Sequence, residues 1–200
     1  MLIAQEALLQ YDLHEVWFVP VNTPPHKERK RLASSQARLD MLREATRDEP
    51  RFRVSTIEIE REGKSYTVDT LQQLKRQYPY HQFFFIIGGD MVDYLPKWER
   101  IDELINLVTF IGVKRPGSSS TSSYARHVLP LNTVQIDLSS TDIRSRVRNE
   151  KPIRYMVPPE VEQIIKERKL YGKESGTGNC EATLNRLSLS AHSRSSGSSD

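Results

Sequence analysis

The run Gln82-Phe-Phe-Phe-Ile-Ile87, closed by Gly88-Gly89-Asp90, constrains this chain more than any other stretch. It is the most apolar run present and reads as a central strand buried on both faces, which implies a parallel sheet covered by helices. The flanking sequence supplies those helices. Leu2, Ile3, Ala7, Leu8 and Leu9 fall at helical spacing, so the chain opens inside a helix. Glu15-Val-Trp-Phe-Val-Pro20 is a short strand ended by proline. Residues 35–47 return to helical period through Ala37, Met41, Leu42 and Ala45. Residues 52–60 alternate, with a change of phase that marks a bulge or a strand end. Residues 67–77 form a helix with a threonine cap, an acidic first turn and a basic last turn. A helix over 98–107, a strand over 108–113, a last strand near 133–137 and helices over 140–149 and 158–169 complete the pattern.

Five strands separated by helices give right-handed βαβ units and a doubly wound, mostly parallel α/β sheet. The opening helix has no strand before it, whereas every other major helix serves as a crossover. One strand is therefore expected to be missing.

Two hundred residues, 37% of them hydrophobic, suffice for one domain with a real core and exclude disorder of the whole chain. Lys+Arg number 29 against 26 Asp+Glu, a net charge of +3, so nothing in the balance demands nucleic acid. Cys180 stands alone and makes no intramolecular disulfide. No stretch approaches the roughly 18 apolar residues of a membrane span, and Met1 to Gln10 lacks the basic start of a signal peptide. The expectation is a cytoplasmic protein with a domain over 1–173. From Glu174 on, eight of 27 residues are serine, and the segment reads as a disordered tail.

In an open parallel sheet, ligands bind beyond the carboxyl ends of the strands. The residues that follow the expected strands are Asn22-Thr-Pro-Pro-His-Lys27, Gly88-Gly-Asp90, Lys114-Arg-Pro-Gly117 and Ser139-Ser-Thr-Asp-Ile-Arg144. Together they offer cations, hydroxyls and free amides, a rim suited to a phosphorylated ligand. Ser139 and Asp142 have capping-box spacing, which aims helix amides at the rim where anions are favoured, and Arg144 lies one turn in. Each element alone also has an ordinary reading: a capped surface helix, a stiff proline loop, a strand-ending turn, a core tryptophan at 98.

Jointly, Pro24-Pro-His-Lys27, Tyr66-Thr-Val-Asp-Thr70, Phe84-Phe-Ile-Ile-Gly-Gly-Asp90, Pro96-Lys-Trp98, Val113-Lys-Arg-Pro116 and Ser139-Ser-Thr-Asp-Ile-Arg144 resemble the bacterial nicotinate-nucleotide adenylyltransferases of the nucleotidyltransferase superfamily. The resemblance covers residues 2–171 and is closest to the enzymes of Bacillus-like bacteria. It implies transfer of an adenylyl group from ATP to nicotinate mononucleotide, with Mg²⁺, giving deamido-NAD and pyrophosphate. It further implies that Ser140, Thr141 and Arg144 hold the ATP phosphates and that Gly88 and Asp90 meet its ribose and adenine side. His26, Lys27 and Arg115 would lie toward the mononucleotide, the Thr67 amide would meet the nicotinate carboxylate, and Trp98 would stack on the pyridine. The family often forms homodimers.

The family's opening Gly-Gly-Thr-Phe-Asp-Pro-Pro-His-x-Gly-His segment has no counterpart here. His14 cannot substitute for its histidines, because it precedes the first strand at the opposite edge of the sheet. The expectation is a chain that starts late, binds nucleotides poorly and turns over slowly. Rival readings are a sister enzyme acting on nicotinamide mononucleotide or phosphopantetheine, against which Thr67 and Trp98 argue in the second case, and a non-catalytic fragment. A nucleic-acid-binding module built on Lys27-Glu-Arg-Lys-Arg31 is a distant fourth, since no recognition motif accompanies that run.

Overall fold

The computed structural model describes residues 1–22, 33–61, 63, 65–113, 122–134, 136–172 and 187–193, with residue 90 and residues 187–193 described by their backbone. His26, Lys27 and Arg115 lie outside the described residues. In chain order the elements are α1 (Leu2–Gln10), β1 (Glu15–Phe18), α2 (Ser35–Thr46), β2 (Phe52–Val54), α3 (Thr67–Gln77), β3 (His81–Ile87), α4 (Ile101–Leu107), β4 (Thr109–Val113), β5 (Val128–Leu131), α5 (Ser140–Arg148), α6 (Pro159–Glu167) and β6 (Leu187–Ser193). Two compact units emerge, one of Met1–Trp17, Tyr66–Thr133 and Leu187–Asp200, the other of Phe18–Ser65 and Val134–Arg186.

The first unit carries strands in the order β1, β6, β3, β4, β5. β3 pairs in parallel with β4, Phe84 opposite Thr109 through Ile87 opposite Gly112, and β4 pairs in parallel with β5. Phe83, Phe85, Ile86 and Ile87 are all buried, as a strand apolar on both faces requires. At Gly112 a side chain would intrude: a Cβ there would lie 2.7 Å from Val128 Cγ1, so glycine permits the approach of β5 to β4. α1 buries Ala4, Ala7 and Leu8, and its end is fastened where Gln10 Nε2 and Tyr11 Oη both donate to the Pro130 carbonyl, at 2.9 and 2.5 Å.

β6 departs from the expected disordered tail. It lies between β1 and β3 and runs antiparallel to both, with Val16 opposite Ser190 and Phe85 opposite Leu189. The physical reason lies in its pattern: Leu187, Leu189 and Ala191 alternate with serines, a period-two signal that serine-rich composition obscures. β1 and β3 are thus parallel to each other across an antiparallel neighbour.

The second unit packs α2, α5 and α6 around Ile143, Ile153, Val161 and Ile165, with Met41, Ala45 and Val147 against them. Arg168 Nη1 lies 2.7 Å from Asp40 Oδ2 and joins the end of α6 to α2. Within this unit, Phe18 meets Phe52 edge to face at 5.2 Å. The strand at 52 stops at Val54, and Thr56 accepts from the amides of Ile59 and Glu60, so the change of phase marks a strand end.

Three boundaries are corrected. The expected strand near 133–137 is instead β5 at Val128–Leu131, whose signal Pro130 interrupts; an edge strand tolerates proline because it has no inner partner for the missing donor. α4 begins at Ile101, not 98, because Arg100 sits in the left-handed region at φ 50°. Thr67 is the first residue of α3 and not its cap; Tyr66 occupies the cap position and makes no side-chain capping bond.

Candidate active site

Among the described residues, the sites expected from sequence fall into two sets, one in each unit. In the first unit, Gly88 follows β3 directly in extended backbone, and its carbonyl accepts from Met91 N at 2.9 Å as the chain enters a 3₁₀ turn at Gly89–Met91. The backbone of Asp90 lies in that turn. Gly88 and Asp90 therefore stand at the carboxyl end of the central strand, where an open parallel sheet presents its ligand site.

Trp98 follows a 3₁₀ turn at Leu95–Lys97 and is half-buried, in perpendicular contact with Phe85 at 5.7 Å and Phe110 at 6.0 Å. Those two phenylalanines are register partners on β3 and β4. The indole is anchored in the core by two aromatic neighbours and keeps part of its surface outside it.

Thr67 is buried at the start of α3, a helix whose first amides receive no side-chain cap. Asp69, one turn in, pairs with Arg100, which also reaches Glu103 Oε2 at 3.3 Å, while Gln72 bonds Glu103 from α3. This network ties the first turns of α3 and α4 together and so brings the segment just after Trp98 against the helix that begins at Thr67. The left-handed backbone at Arg100 costs about 1 kcal/mol or more for a residue with a Cβ, and the two ion pairs made by its side chain offset that cost. Sequence reading missed Arg100: its partners lie 31 and three positions away, and nothing in the spacing announces a left-handed residue.

In the second unit, Ser139 caps α5. Its Oγ accepts from Asp142 N at 3.1 Å, the capping bond anticipated from their spacing, and donates to the Asp142 carboxylate, which thus meets the cap's hydroxyl instead of its backbone amide. The next bond, Ile143 N to the Ser139 carbonyl at 3.2 Å, leaves the amides of Ser140 and Thr141 without a partner among the described residues. Arg144 is buried, and its Nη2 donates to Thr141 Oγ1 at 3.4 Å. A guanidinium with donors to spare, beside two open amides and the positive end of a helix, is chemically suited to a phosphate. His14 is exposed in front of β1, as expected of a surface histidine.

A model of the cytidylyltransferase-like family matches residues 1–146. The nicotinate-nucleotide adenylyltransferase of Bacillus subtilis is 45% identical over 171 residues, covering 86% of this chain and 89% of that one. The chain belongs to that family. A "Probable nicotinate-nucleotide adenylyltransferase" of Shouchella clausii is 56% identical over 172 residues, 86% of this chain and 88% of its own length. The fold is that of nucleotidyltransferases: a Plasmodium falciparum nicotinic acid mononucleotide adenylyltransferase, solved in complex with NaAD, superposes with a TM-score of 0.67 over 84% of this chain and 90% of its own, at 20% identity. No helix among the described residues is long and apolar enough to cross a membrane.

Proposed function

We propose that this chain transfers an adenylyl group from ATP to nicotinate mononucleotide, a late step of NAD biosynthesis. A 5′-phosphate oxygen of the mononucleotide attacks the α-phosphorus of ATP; the new P–O bond forms as the bond to the β-phosphate oxygen breaks, and pyrophosphate leaves. Such a transfer needs little covalent help: alignment and neutralisation of charge do most of the work. The amides and hydroxyls of Ser140 and Thr141, with Arg144, hold the ATP phosphates, and Arg144 stabilises the charge that builds on them. Gly88 and Asp90 take the ribose and adenine side. His26, Lys27 and Arg115 meet the mononucleotide, the Thr67 amide receives the nicotinate carboxylate, and Trp98 stacks on the pyridine.

The observation that carries the acceptor choice is the uncapped start of α3 at Thr67, tied through Asp69 and Arg100 to the segment bearing Trp98. An open helix amide prefers a carboxylate to a carboxamide, and a half-buried indole suits a flat ring. Phosphopantetheine offers neither group. Mg²⁺ belongs with the triphosphate: among the described residues no group of three His, Cys, Asp or Glu forms a cage, and Mg²⁺ is commonly held by phosphates and water with few protein ligands. When bound it would neutralise phosphate charge. Residues 1–173 act as one nucleotidyltransferase domain, in a cytoplasmic homodimer.

Substrate choice tests the reading. The chain is incubated with ATP and, separately, nicotinate mononucleotide, nicotinamide mononucleotide and phosphopantetheine, and adenylylated products are identified by mass. Nicotinate adenine dinucleotide as the predominant product supports it. Preference for another acceptor, or no product from any, overturns it.

A further inference from the structure

Asp69 lies in the first turn of α3, the helix that starts at Thr67 and has no side-chain cap. An aspartate in that turn is ordinarily drawn to the positive end of its own helix. Here its carboxylate is engaged by Arg100, whose Nη2 pairs with Asp69 Oδ1. Arg100 stands in left-handed backbone at φ 50°, directly before α4, and its carbonyl accepts from Glu103 N at 3.1 Å and Leu104 N at 3.0 Å. Its Nη1 lies 3.3 Å from Glu103 Oε2, and Glu103 Oε1 accepts from Gln72 of α3. One cation thus faces two carboxylates where the first turns of α3 and α4 meet, and without it both carboxylates would stand beside the start of α3 unbalanced.

A ligand carboxylate at a helix start competes with any carboxylate of the same turn, because both are drawn to the same amides and repel each other. Nicotinate carries such a group and nicotinamide does not. We propose that Arg100 is a specificity determinant for the nicotinate ring: by engaging the Asp69 carboxylate and balancing its charge, it keeps the start of α3 open to the carboxylate of the acceptor. It acts through Asp69 and is a positioning residue. The role rests on the reading above that the Thr67 amide receives the nicotinate carboxylate. The Arg100 and Asp69 side chains are 41% and 39% exposed, so water and salt screen the pair and hold its effect to a few-fold.

The test uses the full chain and four variants. Arg100→Asn removes the cation and keeps a residue that tolerates left-handed backbone; Arg100→Lys keeps the charge; Asp69→Asn removes the competing carboxylate; the fourth combines Arg100→Asn with Asp69→Asn. Titration calorimetry at low and high salt gives the dissociation constants for nicotinate mononucleotide and nicotinamide mononucleotide. Arg100→Asn should bind nicotinate mononucleotide about fivefold more weakly and nicotinamide mononucleotide within about twofold of wild type, with the gap between the two ligands narrowing as salt is raised. Arg100→Lys should keep most of the preference, and the combined variant should recover it. Equal weakening of both ligands in Arg100→Asn, or no recovery in the combined variant, overturns the proposal, since a purely mechanical tie between the two helices predicts both. Should Arg100→Asn not unfold cooperatively, Asp69→Asn alone decides: affinity for nicotinate mononucleotide equal to or above that of wild type supports the role, and a fall overturns it. A wild-type chain without preference for nicotinate overturns the reading of the α3 start and the role of Arg100 together, whereas a wild-type preference that survives unchanged in Arg100→Asn overturns the role of Arg100 alone.

Discussion

Replacing Ser139 by alanine removes one hydroxyl and should be felt in both stability and nucleotide binding. The Oγ satisfies the Asp142 amide at 3.1 Å and holds the Asp142 carboxylate over the first turn of α5. Both residues are exposed, so water replaces part of what is lost. The cost therefore falls in the lower part of the range for N-cap deletions, about 0.5–1 kcal/mol. For a chain of this size that corresponds to a fall in melting temperature of about 1–4 °C. The same turn carries buried Ile143 and Arg144 and the open amides of Ser140 and Thr141. Fraying it should weaken ATP binding more than mononucleotide binding. The assay is thermal unfolding by circular dichroism with parallel titrations of both nucleotides. Ser139→Asn, which keeps a capping oxygen, is the control and should restore most of the loss. An unchanged melting temperature in Ser139→Ala, or an asparagine variant as unstable as the alanine one, would refute the capping argument; equal loss of both nucleotides would refute the assignment of this turn to ATP.

Trp98→Leu should lower affinity for nicotinate mononucleotide while leaving ATP binding nearly intact, and should cost about 1–3 kcal/mol of stability through two lost aromatic contacts; denaturant unfolding and titration check both. Gly112→Ala places a methyl group against the stiff Val128 side chain and should destabilise by about 1–3 kcal/mol, read as a lower urea midpoint with an unchanged slope. The Arg168 hydrogen bond holds the Asp40 carboxyl below its ordinary range, so the folded chain takes up that proton less readily than the unfolded one. Its contribution is complete above about pH 4 and fades as pH falls through the lowered value; the melting temperatures of wild type and Asp40→Asn should differ at pH 7 and converge in acid. Ending the chain after Arg186 removes β6 and bares the edges of β1 and β3, so the shortened protein should scatter more light at equal concentration.

The sheet was legible where the core dictated it. Phe83 to Ile87 cannot be placed except between covering layers, and α3 begins and ends at the expected residues because its acidic start, basic end and Pro79 agree. Legibility failed where two local signals competed. In β5 the proline that removes a donor also hides the strand, and the alternating run that follows, with Val134 and Ile136, remains exposed outside any strand. In β6 the serines suggested solubility while the leucines between them kept a strand's period, and pairing on both sides decided the outcome. Composition averages over the alternation that a sheet reads.

The candidate site divides along a similar line. Groups that act through local backbone geometry, such as the Ser139 cap and the glycine after β3, follow from a few neighbouring residues and could be named from spacing. Groups that act by joining distant stretches could not. Arg38 sits between buried Ala37 and Leu39 on α2, and only the carbonyls of residues 21, 22 and 33 show why a charge belongs there. Arg100 likewise takes its meaning from Asp69, 31 positions earlier. The cations that sequence did single out, at 27, 114 and 115, lie outside the described residues. A cation with a built surround, buried and bonded across two segments, argues more strongly for a purpose than one that water can solvate. By that measure Arg38 is the determinant to test first, and Arg144, buried but bonded to Thr141 within α5, comes after it.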